Sequence, residues 1–314
     1  MTKNNIKGLD EYYSDLYDSA LDDKSNKNYD NAINKLTEIY NNKQLDLINI
    51  QLVKLLYKEH RYQEAFEYIT LNPNLYLKNI ELIKIFIEVL LNNHDFIFAR
   101  KVVADFNDKL LKDKVILKIS VAEKNYEEYF QKSLNSKVKE FAHLGNYEFS
   151  KQKSILESSM KIPLKYFVEY GEYLLLDSFV HPLIKSSIVD TFRELKLKIN
   201  INERFIDKKV RELNVYGLSK LESMLSYRNI ISIVNESCLK NDPTSKMMFL
   251  QYLRVNLMII YPFNDEIIKN YKLWFEYFYK TFTGRQFDSD TEEKEEINDI
   301  GNLILSIYSE LFNI

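Results

Sequence analysis

The chain has 314 residues, more than one compact core usually takes, so its length predicts two domains or one elongated repeat array. A net charge of −3, with both signs interspersed, argues against a basic surface for nucleic acid, and the single cysteine excludes an intrachain disulfide and any cysteine-based metal cluster. No apolar stretch approaches the roughly 20 residues that span a bilayer. We therefore expect a cytoplasmic protein without membrane segments.

The first half of the chain repeats one short pattern, in which an aromatic residue follows a polar turn and starts an amphipathic helix. In the first three copies an alanine stands three positions after the aromatic residue, at Ala32, Ala65 and Ala99. A period near 34 residues of paired helices is the signature of an α-solenoid. The aromatic residues are Tyr29, Tyr62, Phe96 and Tyr126, spaced by 33, 34 and 30 residues.

Apolar residues at helical spacing predict four helix pairs and one further helix in this half. Such short helices cannot bury their faces alone, so each pair is expected to cover its neighbour. The fourth copy has Tyr129 where the others have alanine, which predicts a distorted repeat. The predicted pairs are 9–22 with 29–40, 45–59 with 62–71, 77–92 with 96–107 and 110–123 with 126–141, followed by a helix over 147–160.

Pro163 suits a first helical turn, so the chain is expected to divide into repeats over 1–160 and a mostly helical domain over 161–314. Ser219 is the expected cap of one helix in the second domain. The acidic run 288–296 is expected to be the solvated start of the last helix, with an acidic docking element as the alternative. The predicted helices are 164–176, 182–195, 219–239, 244–261, 265–282 and 297–312.

One β-hairpin is predicted after the second of these helices. Leu197, Ile199 and Ile201 alternate with polar residues, which is the period of a strand. A turn at Asn202-Glu203 would lead into a second strand within 205–210 or 210–215. The predicted fold class is therefore all-α: a helical-hairpin solenoid followed by a helical domain with one hairpin.

The aromatic-to-alanine pattern of the first half resembles tetratricopeptide repeats, although Val53, Ile87 and Leu117 stand where that family has a small residue in its first helix. The stretch from Leu174 to Ile188 looks like a motif in a family of tetratricopeptide-repeat proteins of low-GC Gram-positive bacteria, whose C-terminal region has no known function. The motifs Asn241-Asp-Pro243 and Ile260-Tyr-Pro-Phe263, and the helix around Trp274, are similar to that family too. The resemblance implies an all-helical repeat protein with no assigned reaction and no catalytic residue.

The four histidines, His60, His94, His143 and His181, are not spaced like metal ligands. His60 and His94 are interpreted as residues of the turns between helices, and His181 as the cap of the next helix. Cys238 is interpreted as a buried structural thiol, because the sequence places no base beside it. The sequence thus predicts no catalytic residue, no metal and no cofactor.

In the resembled fold, the first helices of the repeats line a concave groove that takes a peptide or a helix. Repeat phase places Lys54, Lys84, Glu88, Lys114 and Lys118 on or near that face. Lysines there favour an acidic segment of a partner protein, although they are also common as ordinary exposed residues.

Two functions remain open, with an enzyme as a more distant third. The first is a non-enzymatic adaptor or scaffold that binds a partner through the groove. The alternative is a regulatory protein with a small-molecule or peptide site in the C-terminal domain, for which an apolar pocket beside Trp274 would be the sign.

Overall fold

A computed structural model describes residues 7–311, except for the side chains of Cys238 and Lys240. This part of the chain is all-α with one two-stranded sheet, which confirms the predicted fold class. The prediction for the Cys238 thiol and the last residue of the predicted final helix, Phe312, lie outside the described residues.

The chain divides into two compact units. The first unit comprises residues up to Ala99 together with Lys114–Tyr126, and the second comprises Arg100–Asp113 together with the residues from Glu127 onward. The last boundary between the two units thus lies between Tyr126 and Glu127, earlier than the predicted boundary at residue 160. The predicted division into 1–160 and 161–314 stays a prediction about which segments fold independently.

The first unit consists of short helices that pack on their neighbours in chain order. Ala32, Ala65 and Ala99 are all fully buried, as expected for small residues where paired helices come close. The last two helices of the series each have residues in both units. The helices are α1 (Glu11–Ser25), α2 (Tyr29–Lys43), α3 (Asp46–Lys58), α4 (Tyr62–Leu71), α5 (Ile80–Asn92), α6 (Phe96–Ala104) and α7 (Lys109–Tyr129).

The turn inside each of the first three helix pairs has the same backbone geometry. Lys27, His60 and His94 have φ angles of 64°, 58° and 61°, in the left-handed region that favours glycine. The amide after each of them donates a hydrogen bond to the carbonyl five residues earlier, which closes the preceding helix in a Schellman motif. These bonds are Asn28 N to Asp23 O (2.8 Å), Arg61 N to Leu56 O (2.8 Å) and Asp95 N to Leu90 O (2.9 Å).

The turn predicted inside the fourth helix pair, before Tyr126, is wrong. The prediction ended a helix at Glu123 and began the next at Tyr126, but α7 continues without a break to Tyr129. The segment 122–129 contains no glycine or proline, and five of its eight residues are alanine, lysine or glutamate, which favour continuing the helix. Tyr126 still packs its ring 5.5 Å from that of Phe96, so the aromatic contact forms without the turn.

The second unit contains the remaining helices and the hairpin. Helix packing brings α8 against α9 and α10, α11 against α9, α10 and α13, and α15 against α12, α13 and α16. Gly301 lets α16 approach α15, because a Cβ there would lie 2.2 Å from the Tyr277 ring. The elements are α8 (Gln131–Ala142), α9 (Phe149–Ser159), α10 (Leu164–Leu176), α11 (Pro182–Glu194), β1 (Asn200–Arg204), β2 (Val210–Asn214), α12 (Leu225–Glu236), α13 (Pro243–Ile259), α14 (Asn264–Ile267), α15 (Tyr271–Phe282) and α16 (Glu292–Glu310).

The predicted hairpin is present, but its turn is not at Asn202-Glu203. Both residues lie inside β1, which pairs antiparallel with β2, and the second of the two predicted ranges for the return strand is the one observed. The chain reverses over 205–209, where Lys208 takes a φ of 66°. A type I turn followed by a left-handed residue is a common hairpin loop, and it places the turn later than the polar dipeptide suggested.

Two predicted helices of the second domain also begin or end elsewhere. Ser219 is not a cap: α12 starts at Leu225, and the distant Asp265 accepts hydrogen bonds from Leu225 N (3.1 Å) and Ser226 N (2.7 Å). The helix predicted over 265–282 is two helices, because Asn270 caps α15 by accepting from Leu273 N. The acidic run does provide the first turn of α16, as predicted.

Two lysine-to-glycine substitutions at repeat-equivalent positions should have opposite effects on stability. Lys27 is exposed and left-handed, so Lys27→Gly should raise the free energy of unfolding by about 1 kcal/mol. Lys124 lies two residues before Tyr126, inside the unbroken α7, so Lys124→Gly should lower it by about 1 kcal/mol. Urea denaturation followed by circular dichroism measures both changes. Changes in the free energy of unfolding that have the same sign in both variants would contradict this account of the turns.

Candidate functional site

The structure places the five residues of the predicted groove on consecutive first helices of the repeats. Lys54 lies on α3, Lys84 and Glu88 on α5, and Lys114 and Lys118 on α7. We call the surface formed by these five residues, together with Glu81, Leu117 and Val121, the first-helix face.

Ion pairs link successive first helices across this face. Lys54 Nζ lies 2.7 Å from a carboxylate oxygen of Glu81 on α5, and Lys118 forms an ion pair with Glu88. Exposed ion pairs contribute about 0–1 kcal/mol, so these lysines can exchange one carboxylate for another at little cost. Lys84 and Lys114 are exposed, and neither has an ion pair within residues 7–311.

An apolar stripe runs beside the lysines of α7. Leu117 and Val121 are four residues apart on one side of the helix, and their side chains are 66% and 51% exposed. Lys114 and Lys118 stand between this stripe and the buried side of α7, which includes Val115 and Ile119. The first-helix face therefore combines positive charge with accessible apolar surface, a combination that suits an amphipathic acidic segment.

A second candidate site lies wholly in the second unit. It is a cleft of about 1020 Å³ between the segment 147–152, the corner 176–182 before α11, the hairpin and α16. We call it the C-terminal cleft. The residues of its wall that matter most for chemistry are Phe149, Phe179, His181, Lys185, Glu203 and Ile307.

Gln152 of α9 fixes the corner that carries His181. Its amide nitrogen donates to the carbonyls of Tyr147 (2.9 Å) and Phe179 (3.0 Å), and its Oε1 accepts from His181 N (2.9 Å). The His181 imidazole then accepts from Leu183 N through Nδ1 (3.2 Å), which confirms the predicted helix cap. The hydrogen-bond network thus assigns the ring proton to Nε2, and this buried nitrogen has no hydrogen-bond partner in the described structure.

Two buried charged side chains meet the same cleft. Lys185 is 4% exposed, and its Nζ donates one hydrogen bond, to the carbonyl of Arg204 (2.9 Å). Glu203 is 3% exposed, and its Oε2 has no hydrogen-bond partner among residues 7–311. Glu203 is paired across the hairpin with Arg211, whose guanidinium lies over the rings of Phe205 (4.5 Å) and Phe263 (5.3 Å). Buried titratable groups in a cleft are candidates for a functional site.

Burial dominates the protonation of all three groups. It raises the pKa of the Glu203 carboxyl to about 8, against the opposing effect of the Lys185 and Arg211 charges. It lowers the pKa of Lys185 to about 8, which Glu203 and Asp177 partly offset, and it lowers the pKa of His181 to about 4. Burial therefore favours the uncharged form of each of the three groups, and the charges of Lys185 and Glu203 oppose this by favouring one another.

Sequence reasoning missed Lys185 and Glu203, although both break an apolar pattern. Lys185 shares one side of α11 with Ile188, Val189 and Phe192, which are all fully buried. Glu203 continues the inward alternation of the strand after Ile201, but the prediction had assigned it to a turn. A charged residue in an apolar position of a helix or strand was the available signal.

An apolar pocket beside Trp274 was the expected sign of a ligand site, but Trp274 does not line the C-terminal cleft. Trp274 is 2% exposed, and its ring packs against those of Tyr277 and Phe278 in the core of the second unit. Among the described residues, no group of three or more histidine, cysteine, aspartate or glutamate side chains is arranged to hold a metal ion. No helix within residues 7–311 has the length and apolar character needed to cross a membrane.

Comparison of the chain with protein-family models, with curated proteins and with solved structures finds no match. The resemblance to a tetratricopeptide-repeat family of Gram-positive bacteria therefore stays a prediction. The two candidate sites rest on the geometry and charge of their own residues.

Replacing Glu203 should change how stability depends on pH. Because the folded-state pKa lies above the unfolded value of 4.5, the folded protein binds this proton more tightly, and the resulting stability is lost as pH rises from about 5 to 8. Glu203→Gln removes that loss. The variant should gain stability relative to the parent by up to about 1.4 kcal/mol per pH unit in this window. Urea denaturation at pH 5.5, 6.5 and 7.5 measures the difference.

Glu172→Gln is the matched control, because Glu172 is exposed on the neighbouring α10. Its difference from the parent should stay constant over the same pH range. His181 titrates in all three proteins, so its contribution cancels. A Glu203→Gln difference that does not grow with pH would show that burial does not control this carboxyl.

Proposed function

We propose that this chain is a cytoplasmic, non-enzymatic adaptor that binds an acidic amphipathic segment of a partner protein on the first-helix face. The observation that supports this most is the pairing of exposed Leu117 and Val121 with two lysines, Lys84 and Lys114, that have no ion pair in the described structure. The apolar stripe would receive the hydrophobic side of the segment. The lysines would receive its carboxylates.

The weak ion pairs of this face fit the same proposal. Binding an acidic segment offers Lys54 and Lys118 alternative carboxylates, while Glu81 and Glu88 return to solvent. Surface charges of this kind act mainly on the rate of association and on the choice of partner, and the buried apolar contacts supply most of the affinity. Leu117 and Val121 are thus the proposed anchors, and the lysines select for acidic over basic segments.

A second candidate function is supported by the C-terminal cleft. Its buried Lys185, Glu203 and His181 favour the alternative of a regulatory protein with a ligand site in its C-terminal part. The two functions are compatible, because they use residues of different units.

Charge reversal on the first-helix face should abolish capture of the partner. The full-length chain and its Lys84→Glu/Lys114→Glu variant are used as baits in lysate of the source cells, and captured proteins are quantified by mass spectrometry. The variant should retain at least about tenfold less of an acidic partner, because two attractive contacts become repulsive. Leu117→Ser should lower retention as well, through loss of the apolar anchor.

The double variant Lys132→Glu/Lys153→Glu is the matched control. Both lysines are exposed on α8 and α9, neither has an ion pair in the described part of the chain, and the change in net charge is the same. This variant should keep the partner. Once the partner is identified, replacing its acidic residues with lysine should restore binding to Lys84→Glu/Lys114→Glu. Equal capture by all variants would refute a role for the first-helix face.

A further inference from the structure

The buried part of the C-terminal cleft has hydrogen-bond donors that lack acceptors in the described structure. We propose that it binds a monoanionic carboxylate with an apolar body, which accepts hydrogen bonds from Lys185 Nζ and from His181 Nε2 or the Glu203 carboxyl. This site goes beyond the proposed adaptor function and does not depend on it. It uses only residues of the second unit.

Donors dominate the buried part of the wall. A lysine ammonium has three N–H groups, and the structure gives Lys185 one hydrogen-bond acceptor, the Arg204 carbonyl. His181 Nε2 is a donor because Nδ1 already accepts. The Ile307 carbonyl lies near enough to raise the pKa of the imidazole, but no hydrogen bond of normal geometry joins it to Nε2. Glu203 Oε2 is buried and unpartnered, and a protonated carboxyl donates as well. A carboxylate, with two acceptor oxygens and no donor, matches this set.

The charge of Lys185 calls for an anion. No ion pair to Lys185 is found within residues 7–311, although the side chain is almost completely buried. Glu203 and Asp177 act on Lys185 through space but form no ion pair with it. A buried ammonium without a direct ion pair is costly, so an incoming carboxylate that contacts it gains the benefit of the pair. Lys185 also lies in the first turns of the 13-residue α11, where the helix dipole favours negative charge.

The rest of the cleft restricts the ligand to one charge and an apolar body. Besides Lys185 and Glu203, the wall carries the cations Arg204 and Lys208. It also carries the carboxylates of Glu148, Asp177 and Glu310, so it adds no excess of positive charge and favours one negative charge on the ligand over two. Phe179 is 78% exposed beside the cleft, and the Phe149 ring packs against that of His181 in a tilted contact, with 4.3 Å between the ring centroids. With Ile307 these side chains form an apolar wall for an aliphatic or aromatic group.

The test measures binding of defined probes to the full-length protein by calorimetry and by thermal unfolding. The acids are octanoate and phenylacetate, and their matched controls are octylamine, phenylacetamide and inorganic phosphate. At least one acid should bind and raise the Tm, and none of the controls should. A short apolar peptide with a free C-terminus, compared with its amide, distinguishes a peptide terminus from a free organic acid as the source of the carboxylate.

Lys185→Met keeps the unbranched apolar stem of the side chain and removes its charge, so it should fold and bind the acid at least about tenfold more weakly. Lys208→Met is its control, because Lys208 also lines the cleft but is exposed, and it should bind like the parent. Ser306→Trp places a large side chain in the cleft from an exposed position of α16 and should block binding of the acid. It provides the test if Lys185→Met does not fold. The proposal is overturned if no acid or free-terminus peptide binds, or if Lys185→Met binds as tightly as Lys208→Met.

Discussion

The helices of the first unit are too short to bury an apolar face alone, so the chain has to reverse direction after a helix and pack the next helix against it. A left-handed residue at Lys27, His60 and His94 makes that reversal within two residues, and a hydrogen bond from the following amide closes the helix end. Because this geometry recurs after 33 and 34 residues, Ala32, Ala65 and Ala99 stand at equivalent buried positions. The recurring turn also makes the first helices neighbours, and the first-helix face follows from it.

The parts of the fold that depend on local pattern were predictable from the sequence. Aromatic-to-alanine spacing located the helix pairs, Pro163 and Pro182 located the starts of α10 and α11, and strict alternation before Ile201 located the hairpin. The failures had two causes: contacts from distant residues, and local propensity that outweighed the repeat pattern. The cap of α12 comes from Asp265, some 40 residues along the chain, and no local signal reveals it. The turn expected before Tyr126 is absent because helix propensity prevails where the left-handed residue is missing.

The two candidate sites differ in the same way. The residues of the first-helix face could be listed from repeat phase alone, since a regular array places equivalent positions on one surface. Lys185 and Glu203 could not be brought together from the sequence, because one lies on a helix and the other on a strand that the chain folds beside it. Their burial was nonetheless encoded: each occupies a position that the apolar period of its own element directs inward.

The second unit shows elsewhere that it can satisfy buried polar groups fully. Gln152 uses both ends of its amide in three hydrogen bonds, and the Asp265 carboxylate accepts two from the start of α12. Against this background, the unpartnered Nε2 of His181 and Oε2 of Glu203 lower the stability of the fold, and packing alone does not require them. An apolar pair in place of Lys185 and Glu203 would stabilise the fold as well or better. Other buried atoms of this unit are also unpaired in the described structure, among them Asn256 Oδ1, Ser226 Oγ and Arg211 Nε. The cleft differs from them because it joins unmet hydrogen-bonding capacity to a buried lysine and open volume. Buried polar groups at these positions lower stability but suit a ligand. This difference is the physical argument for a ligand in the cleft.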